Sequence, residues 1–125
     1  MPKKQHTAYN QIAPFITKDT SVIRELMHPK VHGNRTQSLA EALLPAGGAT
    51  LLHRHRQSEE IYHITAGKGF MRLGEDEFAI TVGDTIFIPP GTPHALVNHG
   101  QEELRLLCCS SPPYADEDTE LLTCL

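Results

Sequence analysis

The sequence predicts an all-β domain, a sandwich or barrel of short antiparallel strands. Short apolar-rich runs follow one another with turn signals between them, the pattern of many brief strands at near-regular spacing. Glycines punctuate those runs at Gly67, Gly74, Gly83, Gly91 and Gly100. A chain of 125 residues suits one domain, and that length can bury most of its apolar surface without staples.

Residues 1–20 are mixed and polar apart from 12–16, and they read as an N-terminal arm. The barrel is expected over 21–111. Residues 22–27 alternate and read as a strand. Residues 38–44, SLAEALL, contain Ala, Leu and Glu, which favour helix. Pro45, Gly47 and Gly48 stop the run, and strands dominate around it, so it is assigned as strand. Further strands are expected at 50–55, 60–65, 68–73, 78–82, 85–88, 94–98 and 104–109. Gly74-Glu75-Asp76-Glu77 reads as a hairpin turn. The tail, 112–125, differs in character. Its acidic run at 115–122 has the composition of one or two helical turns, with carboxylates near the start where the helix dipole favours them. A solvated surface tail is the competing expectation.

Hydrophobic residues make up 39% and charged residues 21% of the chain, as in ordinary globular proteins. The formal net charge of −4 lacks the basic footprint of a nucleic-acid binder. The three cysteines, Cys108, Cys109 and Cys124, form a poor disulfide framework. Reduced thiols in a cytoplasmic protein are expected. The start, Met1-Pro2-Lys3-Lys4-Gln5-His6, leads into no apolar signal region, and no run approaches the ~18 apolar residues of a membrane span.

The eight histidines carry the functional signal. His53 and His55 stand two apart in a strand-like run, so both side chains leave the same face. Glu60 follows a turn and opens the next strand. His94 lies far along the chain, after the tight Pro89-Pro90-Gly91-Thr92-Pro93 turn. Three imidazoles and one carboxylate suit one divalent first-row transition ion. Burying such groups unpaired is costly, and a cation offsets the cost. Four protein ligands leave about two positions open on an octahedral ion. No CxxC motif is present for a structural zinc site.

The remaining histidines read as structural. His6 lies in the arm, His28 and His32 flank Pro29 in a loop, and His99 sits in a turn. His63 has the opposite strand parity to Glu60 and should face away. Tyr62 shares the parity of Glu60, as a pocket residue or a core tyrosine. Phe70, Arg72, Phe87 and Glu41 are candidates for a cavity mouth. Arg24-Glu25 reads as an exposed salt pair or the source of a general acid or base. Arg54 should point outward. Cys108 and Cys109 alternate faces, so one thiol should pack inward.

These residues resemble the two motifs of the cupin superfamily, in its small single-domain members. The first motif matches Gly47, His53-Arg54-His55, Glu60 and Gly67. The second matches Gly83, Pro89-Pro90-Gly91, His94 and Asn98, with residues 68–82 between them. The second motif's Gly, Pro and Gly alone align by chance in about one window per four thousand. The first motif also permits Glu59 in place of Glu60. The spacing to Gly67 favours Glu60. The resemblance implies an antiparallel jelly roll or conical barrel, with His53, His55, Glu60 and His94 as metal ligands. It also implies a small-molecule ligand and a homodimer.

A fold of this kind hosts many chemistries. The first expectation is a metal-dependent enzyme on a small oxygenated molecule, of dioxygenase or decarboxylase type. The second is a sugar or sugar-phosphate isomerase, although Gly47-Gly48 is no phosphate loop. The third is a non-catalytic binding or sensing barrel.

Overall fold

The structure, a computed structural model, describes residues 5–122. The strands in chain order are β1 (Phe15–Ile16), β2 (Val22–Met27), β3 (Ser38–Leu44), β4 (His53–His55), β5 (Glu59–Ala66) and β6 (Lys68–Leu73). They continue as β7 (Asp76–Thr81), β8 (Thr85–Ile88), β9 (His94–Val97), β10 (Leu104–Ser111) and β11 (Thr119–Leu121). Two antiparallel sheets result, six-stranded β1-β2-β3-β10-β5-β8 and five-stranded β11-β4-β9-β6-β7.

Alternation of buried and outward residues in β3, β5, β8 and β10 builds the centre of the six-stranded sheet. In β5, Glu60, Tyr62 and Ile64 are buried while Glu59, Ile61 and His63 are exposed. The β10 register pairs Leu106 with Ala42 and Ile64, Cys108 with Ala40 and Tyr62, and Ser110 with Ser38 and Glu60. Side chains opposite one another share a face. The inner face therefore changes character along the strands. One end is an apolar core around Leu44, Ile64, Leu104 and Leu106. The other end carries Ser38, Ser110 and Glu60, all buried. The barrel is sealed by oil at one end and lined with polar groups at the other.

Asn98, the last fixed position of the second motif, is structural. It is fully buried. Its amide donates to the carbonyls of Leu44 and Glu102 at 3.0 and 2.8 Å, and its oxygen accepts from the Gly100 N–H at 3.0 Å. One side chain thus satisfies the backbone of the β9–β10 loop and locks it to β3.

Several local expectations change. The hairpin loop is only Gly74-Glu75, since Leu73 pairs with Asp76, so β7 begins earlier than expected. The acidic tail forms a single 3-10 turn, Asp116–Asp118, and residues 119–121 then extend. That extension satisfies the open edge of β4, with Thr119 opposite His55. Within the arm, β1 pairs with β2. Arg24 and Glu25 are not an exposed pair, because adjacent strand residues face opposite ways. Arg24 lies over the Tyr9 ring and meets Glu41 at 3.8 Å on the outer surface, whereas Glu25 faces the interior cavity.

Glycine is required where φ is positive and space is short. Gly67 has φ +80°, and a Cβ there would collide with the Glu103 carbonyl oxygen and lie 3.0 Å from Leu104 Cα. Gly83 has φ +93° with open space around the Cβ position. Gly83→Ala should lose roughly 1–2 kcal/mol, the left-handed penalty alone. Gly67→Ala should lose clearly more in urea denaturation, because strand β10 must also shift. Equal losses would show that the packing against Glu103 does not constrain the turn.

Candidate metal centre

Three imidazoles meet at the polar end of the barrel. His53 and His94 are register partners across β4 and β9. The Gly91 N–H donates to the His55 carbonyl at 2.6 Å, which holds the Pro-Pro-Gly-Thr-Pro turn against β4. One donor atom from each of His53, His55 and His94 lies within 4.8 Å of the others, and all three residues are buried. This trio could hold a metal ion.

The hydrogen bonds behind the rings determine what the front nitrogens can do. His53 Nδ1 lies 2.8 Å from the Leu51 carbonyl, and His94 Nδ1 lies 2.9 Å from the Thr92 carbonyl. A carbonyl only accepts, so each Nδ1 carries the proton. His55 Nδ1 lies 3.0 Å from Thr119 Oγ1, whose own proton goes to the Ala115 carbonyl at 2.9 Å. Thr119 therefore accepts from His55 as well. In the neutral rings, all three Nε2 atoms are bare lone pairs, the arrangement that metal-binding histidines adopt.

Glu60 is outside that trio of mutually close donors and stands against two of its rings. Its Oε1 lies 2.9 Å from His55 Nε2 and 3.4 Å from His94 Nε2, and its Oε2 accepts from Ser110 Oγ at 3.0 Å. Despite this closeness, Glu60 Oε1 and His94 Nε2 are buried without a hydrogen-bond partner. The atoms crowd one another without aligning as donor and acceptor. Lone pairs gathered in this way need a shared proton or a cation. Histidine nitrogen with one carboxylate oxygen fits a divalent transition ion.

The electrostatics agree. Burial, helped by neighbouring His94, pushes His53 down to about 4, so the ring is neutral at neutral pH. Burial also pushes His55 down, but the Glu60 carboxylate outweighs it and raises the pKa. Burial would raise Glu60, yet His55 and His94 hold it well below the usual carboxylate range.

The site opens on a small cavity of about 50 Å³, lined by His53, His55, Glu60, Tyr62, Asp19 and Glu25 among others. No Arg or Lys is among its described lining residues. Tyr62 is in the lining, its ring edge-on to His94 at 5.9 Å. Cys108 is the inward thiol, and burial raises its pKa well above normal. Glu41, Phe70, Arg72 and Phe87 do not line this cavity. Glu41 joins Arg24 and Arg105 on the outer face, Phe70 and Phe87 are exposed, and Arg72 Nε donates to the Gly74 carbonyl. His63 faces outward and contacts Thr85 Oγ1. Arg54 pairs with Glu120 on the outside. His28 and His32 are loop residues, but buried ones: the His28 N–H donates to His32 Nδ1, and His28 Nε2 contacts the Tyr114 carbonyl. Cys124 lies outside the described residues.

One carboxylate, Asp19, escaped sequence reasoning, and a second, Glu25, was named only together with Arg24, as an exposed salt pair or the source of a general acid or base. Asp19 sits in the arm, and its Oδ2 reaches within 3.3 Å of His53 Nε2. Glu25 has a buried Oε1 without a partner, and burial raises its pKa against the opposing pull of His28. Neither belongs to a spacing motif. For Glu25 the strand parity of β2 was an available signal; for Asp19 none was.

His94→Ala should weaken Zn(II) or Co(II) affinity at least ~10-fold, whereas His63→Ala should leave it unchanged, in competition with a chromophoric chelator. Affinity for the wild-type chain should fall as pH drops below ~6, where protons compete for imidazole lone pairs. Equal losses in the two variants, or binding at pH 5 as tight as at pH 7.5, would remove the imidazoles as ligands.

The cupin domain pattern matches residues 40–110. An uncharacterised protein of Methanocaldococcus jannaschii is 55% identical over 116 residues, 93% of each chain. A predicted oxalate decarboxylase from Thermotoga maritima has a similar crystal structure, with TM-score 0.74 and 24% identity over 84% of this chain and 96% of that one. The polyketide cyclase RemF from Streptomyces resistomycificus gives TM-score 0.75 and 22% identity over 91% and 88% of the two chains. At these identities the two structures establish likeness of fold. The matched pattern spans more than half of the sequence and both histidine-bearing segments, and the chain belongs to the cupin domain family.

Proposed function

We propose that this protein is a metal-dependent cupin enzyme acting on a small oxygenated organic molecule, with His53, His55, Glu60 and His94 holding one divalent transition-metal ion. The observation that carries the reading is the pair of buried polar atoms, Glu60 Oε1 and His94 Nε2, that have no hydrogen-bond partner among the described residues, beside two further imidazoles at the wall of a partly open cavity. Bound there, such an ion supplies Lewis acidity or oxygen activation through the positions the protein leaves open.

The chain supplies the remainder. Carbonyl acceptors at Leu51 and Thr92 and the Thr119 hydroxyl orient the imidazoles. Glu60 contributes negative charge, and Ser110 holds its second oxygen. The apolar end of the barrel keeps bulk water from one side. Glu25 is the carboxyl that exchanges a proton with a bound substrate, since burial favours its protonated form and no protein group occupies its Oε1. The Thermotoga neighbour's name supports decarboxylase-type chemistry, and the donor set also suits a dioxygenase. A cavity with no cationic side chain among its described lining residues disfavours phosphorylated sugars, which need Arg, Lys or backbone donors. Free thiols at Cys108 and Cys109 support a reducing, cytoplasmic setting. No described helix is long and apolar enough to cross a membrane.

The assembly we propose is a homodimer through the outer face of the six-stranded sheet. Leu39, Cys109, Ile61 and Phe87 are successive cross-strand partners there, and Leu39, Ile61 and Phe87 are exposed. Such a contiguous apolar row marks an interaction surface.

Two measurements test these readings. In Mn(II)-loaded protein, a 2-oxo acid, a 2-hydroxy acid or a vicinal diol should reduce water-proton relaxation, and one of that panel should release CO2 or consume O2. Glu25→Gln should lower that turnover with metal content unchanged. A loaded protein that binds one of the panel without turnover is a binding barrel, and in that case, as with indifference to the whole panel, the enzyme reading fails. Light scattering at micromolar concentration should give twice the chain mass, and Ile61→Glu with Phe87→Glu should halve it. A wild-type monomer rejects the dimer.

A further inference from the structure

Asp19 is not part of either histidine motif, yet its carboxylate is the most constrained polar group near the imidazoles. Its Oδ1 accepts from Thr17 Oγ1 at 2.7 Å, from the Ser21 N–H at 3.0 Å and from Ser21 Oγ at 2.6 Å. Three donors on one oxygen saturate it and fix the plane of the carboxylate. They also leave Oδ2, which makes no hydrogen bond among the described residues, turned toward His53.

The loop that presents Asp19 is itself pinned. The Asp19 carbonyl accepts from the Leu51 N–H at 2.8 Å, and Thr20 Oγ1 donates to the Ala49 carbonyl at 3.2 Å. Lys18 Nζ donates to the Thr119 carbonyl at 2.7 Å. The arm is therefore tied to the segment leading into β4 and to β11, the two pieces that frame His53 and His55. Thr20 has φ +78°, a conformation that a β-branched residue adopts only at a cost. Tertiary contacts hold this turn where it is.

Oδ2 stops 3.3 Å from His53 Nε2. Nδ1 of the same ring already directs its proton to Leu51, so the nitrogen facing Asp19 is a lone pair. A carboxylate oxygen and an imidazole lone pair do not bond to each other directly. This repeats, on the His53 side, the confrontation that Glu60 makes with His55 and His94 on the other.

We propose that Asp19 is a fifth protein donor to the metal ion, its Oδ2 bound beside His53 Nε2, so that the centre comprises three imidazoles and two carboxylates. The inference rests on the metal-centre reading above and deepens it. An octahedral ion then keeps one open position in place of two, and takes a small ligand through a single oxygen. The two carboxylates balance a divalent charge, in keeping with a cavity that has no cationic side chain among its described lining residues. The arm also becomes part of the centre: metal binding and docking of residues 15–22 are linked, and each stabilises the other.

The test uses the full chain titrated with Co(II). Asp19→Asn retains the Oδ1 acceptor for Thr17 and Ser21, so the apo fold should melt as wild type does. It should bind Co(II) at least ~10-fold more weakly, and its visible d–d bands should intensify as the coordination number falls. Hydrogen exchange of residues 15–22 should slow on Co(II) addition in wild type and not in the variant. Asp19→Ala should repeat the spectral change if Asp19→Asn melts early. Wild-type affinity, spectrum and protection in Asp19→Asn would overturn the proposal. Weaker binding with an unchanged spectrum would overturn it too, since the carboxylate would then act through charge alone. His94→Ala separates the two levels of the argument: if it also binds Co(II) like wild type, the metal centre itself fails.

Discussion

Lone pairs facing one another in a buried space are the constraint on which the polar end of this barrel depends. Each imidazole is committed from behind, two to backbone carbonyls and one to Thr119, and each therefore turns an unprotonated nitrogen inward. Glu60 adds a carboxylate oxygen to the same place. In a low-dielectric interior such an arrangement is unfavourable by several kcal/mol for each uncompensated charge. A cation converts the same geometry from repulsion into attraction. The back-side hydrogen bonds are thus as much a part of the site as the nitrogens that face inward, because they select the tautomers.

The sheet accommodates this liability by segregating it. Along β3, β10 and β5 the inward residues run from Leu44, Leu104 and Ile64 at one end to Ser38, Ser110 and Glu60 at the other. The apolar end contributes the hydrophobic stabilisation and fixes the register. The polar end can then hold a carboxylate and three imidazoles in one geometry without the fold depending on them. Asn98 and the glycine at 67 serve the same purpose from outside the site. Both constrain the loops around β10, and β10 carries Ser110 to Glu60. Residues of the motifs that never touch the cavity still decide where the cavity is.

The chain's two ends complete the structure from opposite sides. β11 pairs with β4 and brings Thr119 behind His55. The Asp19 loop rests on the segment before β4 and brings a carboxylate to His53. Strand β4 is only three residues long; it pairs with β9 on one side and on the other with β11, from a segment that reads in isolation as an acidic tail, while the polar arm rests on the residues that lead into it. Their polar character reflects this position: they cover an edge and supply side-chain and backbone hydrogen bonds, while the apolar core is built elsewhere.

Much was legible in the residues alone. Period-two alternation located nearly every strand, because a half-buried strand must alternate. The His-x-His spacing put two imidazoles on one face, the spacing to Gly67 favoured Glu60 over Glu59, and the parity of Glu60 against His63 assigned inward and outward sides. Glycine and proline marked the turns, where backbone conformation is a local matter. What only the tertiary structure decided is whatever depends on contacts between distant segments. The arm and the tail have no periodicity of their own, so nothing local could announce that Asp19 or Thr119 would stand beside the histidines. Glu41, Phe70, Arg72 and Phe87 alternate as inward residues would, yet which face is the inner one is a property of how two sheets close. Tautomers, too, follow from the partner behind each ring, and that partner is known only once the chain has folded.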